Sequence, residues 1–223
     1  MRKLFGILLC LVMITPIFAK AEGKYVALTF DDGPSGRFTR ALLDGLEKRD
    51  VKATFLLCGY RLEAYPKEAK RIHAEGHEIG LHGFSHRSMA DMEQEELERE
   101  IADTLALLPE GCRPVFLRPP GGKCGPVVRE AARQADLGVL LWSVDPRDWA
   151  SHDAQVIEQA VVEQVRDGDV ILLHDMSDSS VEAALAIVDE LKEQGFTFVT
   201  VSELARRKGT PIQPGKVYTD FGR

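Results

Sequence analysis

The sequence predicts an α/β fold in which a parallel sheet of about seven strands is covered by helices, either barrel-like or doubly wound. Three observations carry this expectation. Short apolar segments alternate with helix-period segments about seven times along the 223 residues. The strand segments are apolar throughout, the pattern of strands buried on both faces. The unusual polar residues fall almost all at the C-terminal ends of those strands, where α/β folds gather their functional groups.

Residues 24–30 form the first strand, with Tyr25, Val26, Ala27, Leu28 and Phe30 supplying its bulk. It runs into Asp31-Asp32-Gly33-Pro34. Neighbouring side chains of a strand point to opposite faces, so two acids converge on one site only where the chain bends, and Gly-Pro supplies that bend. The same four residues also suit a solvated turn, and this stretch alone favours neither reading. Phe38, Leu42 and Leu46 recur at helical spacing and predict a helix over 37–48. Residues 51–58 read as the second strand, 66–74 as a helix opened by Pro66, and 78–82 as the third strand ending in His82. Leu97, Ile101, Leu105 and Leu108 mark an amphipathic helix whose Glu-rich start, 93–100, reads as a solvated face.

The fourth strand, 115–117, leads into Arg118-Pro119-Pro120-Gly121-Gly122, and Pro126 opens the next helix. Residues 137–144 are the fifth strand, 153–166 a helix, and 169–173 the sixth strand, ending at His174-Asp175. A helix through Val181, Leu185, Val188 and Leu191 stops at Gly195, and 196–201 is the seventh strand. Ser202 reads as the cap of a last short helix, and residues 209–223 as an irregular tail.

The start of the chain stands apart. Arg2 and Lys3 precede an apolar run over 4–18, and Ala19-Lys20-Ala21 fits a small-x-small cleavage site, so residues 1–21 read as a secretory signal peptide. Its removal leaves 25 basic against 35 acidic residues, a net charge of −10. An acidic surface argues against nucleic acid and anionic membrane as partners, and no stable membrane insertion is expected after cleavage. Three cysteines remain, Cys58, Cys112 and Cys124, without CxxC spacing. That excludes a disulfide-built scaffold and thiolate zinc sites, and leaves a Cys112–Cys124 bridge open.

His82 and His86 stand four apart, a spacing at which two imidazoles can meet one cation. An isolated pair of this kind is more often two ordinary histidines. With an acid from the first strand end, it becomes a His, His, Asp set with open coordination positions, a catalytic rather than a structural arrangement. Such a metal polarises a carbonyl and lowers the pKa of water toward ~7. The second acid of the pair is then free to act as a general base, and His174 can donate a proton to a leaving group. Arg118 can orient the base, and Asp148 can hold His174 protonated. His73, His77 and His152 read as uninvolved, His73 as exposed and His77 as a turn residue. Trp142 reads as core and Trp149 as an apolar wall for a sugar ring.

These residues carry a resemblance. The chain resembles the polysaccharide deacetylases with a NodB-homology domain, carbohydrate esterase family 4, over residues 24–205. Thr29 to Pro34 matches the family's TFDDGP at all six positions, and His82 to His86 matches its H(S/T)xxH with Gly83 in place of Ser or Thr. Arg118-Pro119-Pro120 matches RPP, Asp145 to Trp149 matches DxxDW, and Leu172 to His174 matches LxH.

The resemblance implies a distorted (β/α) barrel over residues 22–208 that removes acetyl groups from a polysaccharide. It implies Asp31 as base, Asp32, His82 and His86 as metal ligands, and His174 as acid. Arg118 would orient Asp31, and Asp148 would tune His174. Pro119, Gly121, Trp149 and Leu172 would lie on the substrate side, with the Gly121 N–H facing the oxyanion. Zinc is the implied metal, with cobalt, nickel or manganese as substitutes. Peptidoglycan is the first substrate expected, then chitin oligomers, with O-acetyl esters on xylan or a non-catalytic binding role as alternatives, and the protein is expected to be secreted or at the cell wall. Gly121 stands where the family often has Tyr, so a mobile loop and an altered sugar site are expected. Gly83 lacks the usual hydroxyl, so a looser surround of the metal ligands is expected.

Overall fold

A computed structural model describes residues 23–222. The signal peptide expected over 1–21 and Cys10 lie outside them. The seven predicted strands are all present: β1 (Lys24–Asp31), β2 (Thr54–Leu57), β3 (Glu78–Leu81), β4 (Phe116–Leu117), β5 (Gly138–Leu140), β6 (Val170–His174) and β7 (Phe196–Phe198). All seven pair in parallel, in the spatial order β6-β1-β2-β3-β4-β5, with β7 beside the first residues of β1. Beyond β5 the chain crosses to β6, where Val144 pairs with Ile171. That contact curls the sheet into a distorted (β/α) barrel. The fifth predicted strand was drawn too long for this reason: its last residues leave β4 and turn onto β6.

Helices α1 (Arg37–Lys48), α2 (Gly59–Ala64), α3 (Pro66–Ala74), α4 (Gln94–Ala106), α5 (Pro126–Gln134), α6 (Ala154–Val162), α7 (Asp178–Glu193) and α8 (Val201–Arg207) link the strands. α1 and α3 have the predicted bounds. Asp153 caps α6 by accepting from Gln155 N–H, as expected. Two expectations are corrected. Thr200, not Ser202, caps α8, accepting from Glu203 N–H, while Ser202 donates its hydroxyl to Glu78. The tail is not wholly irregular: Val217–Tyr218 forms β8, parallel to β5, with Tyr218 packed on Phe116 and Phe221.

β1 shows how the barrel sorts its side chains. Val26, Leu28 and Phe30 face outward under α1 and α7, packing with Leu42, Leu46, Ile187 and Leu191. Each such fully buried side chain contributes about 1.5–3 kcal/mol. Ala27 faces inward with Leu56, Phe116, Leu140 and Val170. Further along the same inward column stand Thr29 and then Asp31, so the interior turns polar toward the C-terminal ends of the strands. The opposite mouth is closed by α8, whose Val201 N–H donates to Thr54 Oγ1 (3.0 Å) at the start of β2. Substrate therefore has one end of the barrel to approach.

His77 is buried rather than a surface turn residue: its Nδ1 accepts from Ala53 N–H (3.1 Å) and burial pushes its pKa down to about 4. Cys58, Cys112 and Cys124 are all free thiols, so the bridge left open by the sequence does not form. Among the described residues, no helix is long and apolar enough to cross a membrane.

Candidate active site

The parallel register of β1 and β6 sets Asp31 directly beside His174. Both project from strand ends into the open mouth of the barrel. Between them and in the neighbouring loops stand Asp32, His82, His86, Arg118 and Asp148.

Asp31 is 3% exposed, and its carboxylate accepts from the Arg118 Nη1 at 2.6 Å. Arg118 is wholly buried. The same Nη1 donates to Thr29 Oγ1 (2.9 Å), while Nη2 donates to Leu141 O (2.8 Å) and Nε to Leu140 O (3.3 Å). A guanidinium held at both ends by its fork geometry leaves the Asp31 carboxylate one orientation.

Asp32 adopts a left-handed backbone, φ 69°, which brings the second acid to the same rim as the first: Asp31 Oδ2 lies 3.7 Å from His82 Nε2. Asp32 Oδ1 lies 3.2 Å from His82 Nε2 and 2.9 Å from His86 Nε2. His82 Nδ1 lies 2.7 Å from the Arg118 carbonyl. A carbonyl only accepts, so Nδ1 carries the proton and Nε2 keeps its lone pair. Asp32 Oδ1 is a buried oxygen without a satisfied hydrogen bond, and it faces the unprotonated ring nitrogen of His82. The three ligand atoms lie within 4.8 Å of one another. Two imidazole nitrogens and one carboxylate oxygen converging on a point fit a divalent cation with open positions.

Opposite this triad, His174 Nδ1 bonds Asp148 Oδ1 (2.7 Å), and Asp148 Oδ2 accepts from the His174 backbone N–H (2.8 Å). Burial pushes the imidazolium down, but the hydrogen bond and charge of Asp148 outweigh it and hold its pKa at about 9. His174 is therefore a cation at neutral pH, with Nε2–H free to donate.

The outer walls follow. Leu172, two residues before His174 on the same face, is 4% exposed, and Trp149 is 59% exposed with the Arg147 guanidinium 5.1 Å from its ring. Trp142 is only partly buried and packs on the Arg118 guanidinium, 5.7 Å from the ring, so it lines the site's floor as well as the core. Pro119 and Pro120 are buried, and Gly122 N–H closes a turn on Pro119 O (2.9 Å). Gly121 sits within this turn at φ 68°, and a Cβ there would touch nothing within 4 Å. Its N–H lies outside the turn's own hydrogen bond. The proline pair and the turn bond give this stretch a defined turn.

Below the Asp31-Asp32 turn lies fully buried Asp175, which accepts from the Thr39 hydroxyl, while Ser35 donates to its backbone carbonyl. Burial pushes the Asp175 carboxyl up to about 7. A Cβ on Gly33 would stand 2.6 Å from Asp175 Oδ1. Gly33→Ala is therefore expected to cost about 1–3 kcal/mol in urea unfolding and to lower activity by shifting both acids. Unchanged stability and rate would mean that this turn has slack.

Comparison with known proteins agrees with this geometry. The family model described as "Polysaccharide deacetylase" matches residues 19–140. A peptidoglycan-N-acetylglucosamine deacetylase of Bacillus cereus is 41% identical over 191 residues, covering 83% of this chain and 90% of that protein. The chain belongs to the polysaccharide deacetylase family. Peptidoglycan-N-acetylmuramic acid deacetylase PdaC of Bacillus subtilis is 38% identical over 83% of this chain but only 39% of its own length. Among solved structures, a family 4 acetyl xylan esterase from Clostridium thermocellum in complex with a cobalt ion superposes with a TM-score of 0.84 and 37% identity, covering 90% of this chain and all of that one. As a member of this metal-dependent family the chain is a hydrolase, a carbohydrate deacetylase.

One polar residue of this deacetylase site escaped the sequence reading. Glu100, placed with the solvated face of α4, instead accepts from Phe84 N–H (2.6 Å), Ser85 N–H (2.9 Å) and the Ser85 hydroxyl (2.6 Å). A Cβ on Gly83 would lie 3.2 Å from Glu100 Oε2 and 2.7 Å from Met89 Cε. The gap left by the missing Ser or Thr is filled, not loose. The signal was present in the spacing: Glu100 falls one residue before Ile101 and three after Leu97, both buried.

Proposed function

We propose that the chain is an exported, zinc-dependent deacetylase that removes N-acetyl groups from an amino-sugar polymer, peptidoglycan first, at the cell wall. The observation that carries this reading is the pair of oppositely prepared proton groups on one rim. Asp31 is a carboxylate fixed by an arginine, and His174 is an imidazolium fixed by a carboxylate, with the Asp32, His82, His86 triad beside them. The naming of the Bacillus relatives as peptidoglycan deacetylases supports the substrate, and the apolar run over 4–18 supports export.

Asp32, His82 and His86 would hold the divalent ion, which supplies Lewis-acid polarisation of the acetamide carbonyl and a lowered pKa for water. Asp31 takes one proton from the attacking water as its oxygen bonds to the carbonyl carbon. The Gly121 N–H donates to the developing oxyanion. His174 passes its proton to the sugar nitrogen as the C–N bond breaks, giving acetate and a free amine. Leu172 and Trp149 bound the space for the acetyl methyl and the sugar ring.

The likeness to an acetyl xylan esterase favours a second reading, in which the same groups cleave O-acetyl esters. Acetate release separates the two. Peptidoglycan, chitooligosaccharides and acetylated xylan are each offered with and without chelator, beside His82→Ala. Chelator-sensitive acetate from peptidoglycan, lost in the variant and restored by zinc, is expected. Acetate from xylan alone would replace N-deacetylation with esterase action, and none from any polymer after zinc is restored would point to a binding protein.

A further inference from the structure

The loop that carries His86 is clamped from two sides. Its carbonyls are taken by the first turn of α2: Gly59 N–H donates to Gly83 O (2.9 Å) and Tyr60 N–H to Phe84 O (3.0 Å). Its N–H groups are taken from the other side by Glu100 of α4, which also holds the Ser85 hydroxyl. One carboxylate accepts three hydrogen bonds from two adjacent residues that immediately precede His86.

The loop needs such a clamp. Gly83 stands at φ 79° and His86 at φ 61°. A non-glycine residue in that region costs about 1–3 kcal/mol and persists only where its surroundings hold it. His86 is also the exposed ligand, with 42% of its side chain accessible against 3% for His82. His82 is fixed by burial and by the Arg118 carbonyl, whereas His86 has its loop.

We infer that Glu100 is a positioning residue for the metal site, fixing the Phe84–Ser85 backbone so that His86 Nε2 meets the point defined by Asp32 and His82. It touches neither ion nor substrate. The negative charge gives a second reason for a carboxylate, since a charge-assisted acceptor holds backbone N–H groups about twice as strongly as a neutral one. This inference rests on the metal-dependent reading above.

The test is zinc affinity, measured by competition with a chromophoric chelator on metal-stripped protein, together with acetate release at saturating zinc. Glu100→Gln keeps one acceptor oxygen and is expected to weaken zinc roughly 10-fold, and Glu100→Ala up to about 100-fold. Rates at saturating zinc should recover most of the wild-type value, because base and acid are untouched. Glu98→Gln, on the exposed side of the same helix, should leave affinity unchanged. Should Glu100→Ala fail to fold, Glu100→Gln alone decides. Wild-type zinc affinity in Glu100→Gln, even with a lowered melting temperature, would make Glu100 a structural residue only and overturn the inference. Wild-type protein that takes up no zinc would overturn the metal reading itself, and the inference with it.

Discussion

Asp31→Asn is expected to lower kcat by about 10²–10⁴ while zinc affinity stays within a few-fold of wild type. Asn keeps the shape of Asp31 and its Arg118-facing oxygen, and the proposed ligand atoms of Asp32, His82 and His86 are left in place, so removing the proposed base need not dismantle the triad. The same substitution should also destabilise the fold. Arg118 is wholly buried, and Asp31 is the carboxylate it pairs with. Stripping one partner from a buried pair leaves an uncompensated charge and costs about 3–5 kcal/mol. Urea unfolding gives the loss directly. Adding Arg118→Met should recover much of the stability and none of the activity, because a buried pair is replaced more cheaply than it is broken. Full activity in Asp31→Asn would remove it as the base; unchanged stability would mean that backbone carbonyls alone satisfy Arg118.

The second large effect concerns pH. His174 stands at about 9 because Asp148 outweighs burial, so the acid form prevails below that value and is lost as pH rises through it. The alkaline limb of kcat/KM is expected at or below pH 9, lower in the zinc-loaded enzyme because a nearby cation repels the imidazolium. Asp148→Asn removes the group that raises the pKa and leaves burial, which lowers it. The limb should then move toward or below the ordinary imidazole value of 6.5. Stability follows the same sign: the raised value stabilises the fold fully below pH 6.5, and that contribution disappears on passing 9. A limb that stays put in Asp148→Asn would assign it to another group.

Most of this site was legible because it is local. Asp31 and His174 end their strands, Asp32, His82 and Arg118 follow one directly, and His86 lies in the loop after β3; parallel strands deliver their ends to one rim whatever the details of packing. The sequence reading failed where tertiary contacts set the outcome. Glu100 looked solvated because its neighbours Glu95, Glu98 and Arg99 are exposed, and only the position of the 83–86 loop turns it inward. Val217–Tyr218 is too short to show a strand pattern and exists because β5 offers an unpaired edge. The turn at 119–122 depends on Gly121 taking a positive φ, which glycine adopts without strain. His77 follows a glycine in a stretch that resembles a surface turn, and its burial depends on Ala53 and Phe55 from another strand.

Arg118 serves two masters from one residue. Its side chain aims Asp31, and its carbonyl fixes the tautomer of His82. The strand before it, β4, has only two residues, so its alignment between β3 and β5 rests on few hydrogen bonds, Arg118 N–H to Leu81 O (2.8 Å) among them. Slippage of one residue there would exchange inward for outward and withdraw the guanidinium and the carbonyl together. An insertion between Phe116 and Arg118 is expected to cost both halves of the chemistry at once. The Asp31 carboxylate and the His82 tautomer thus share a single point of failure, the placement of one residue.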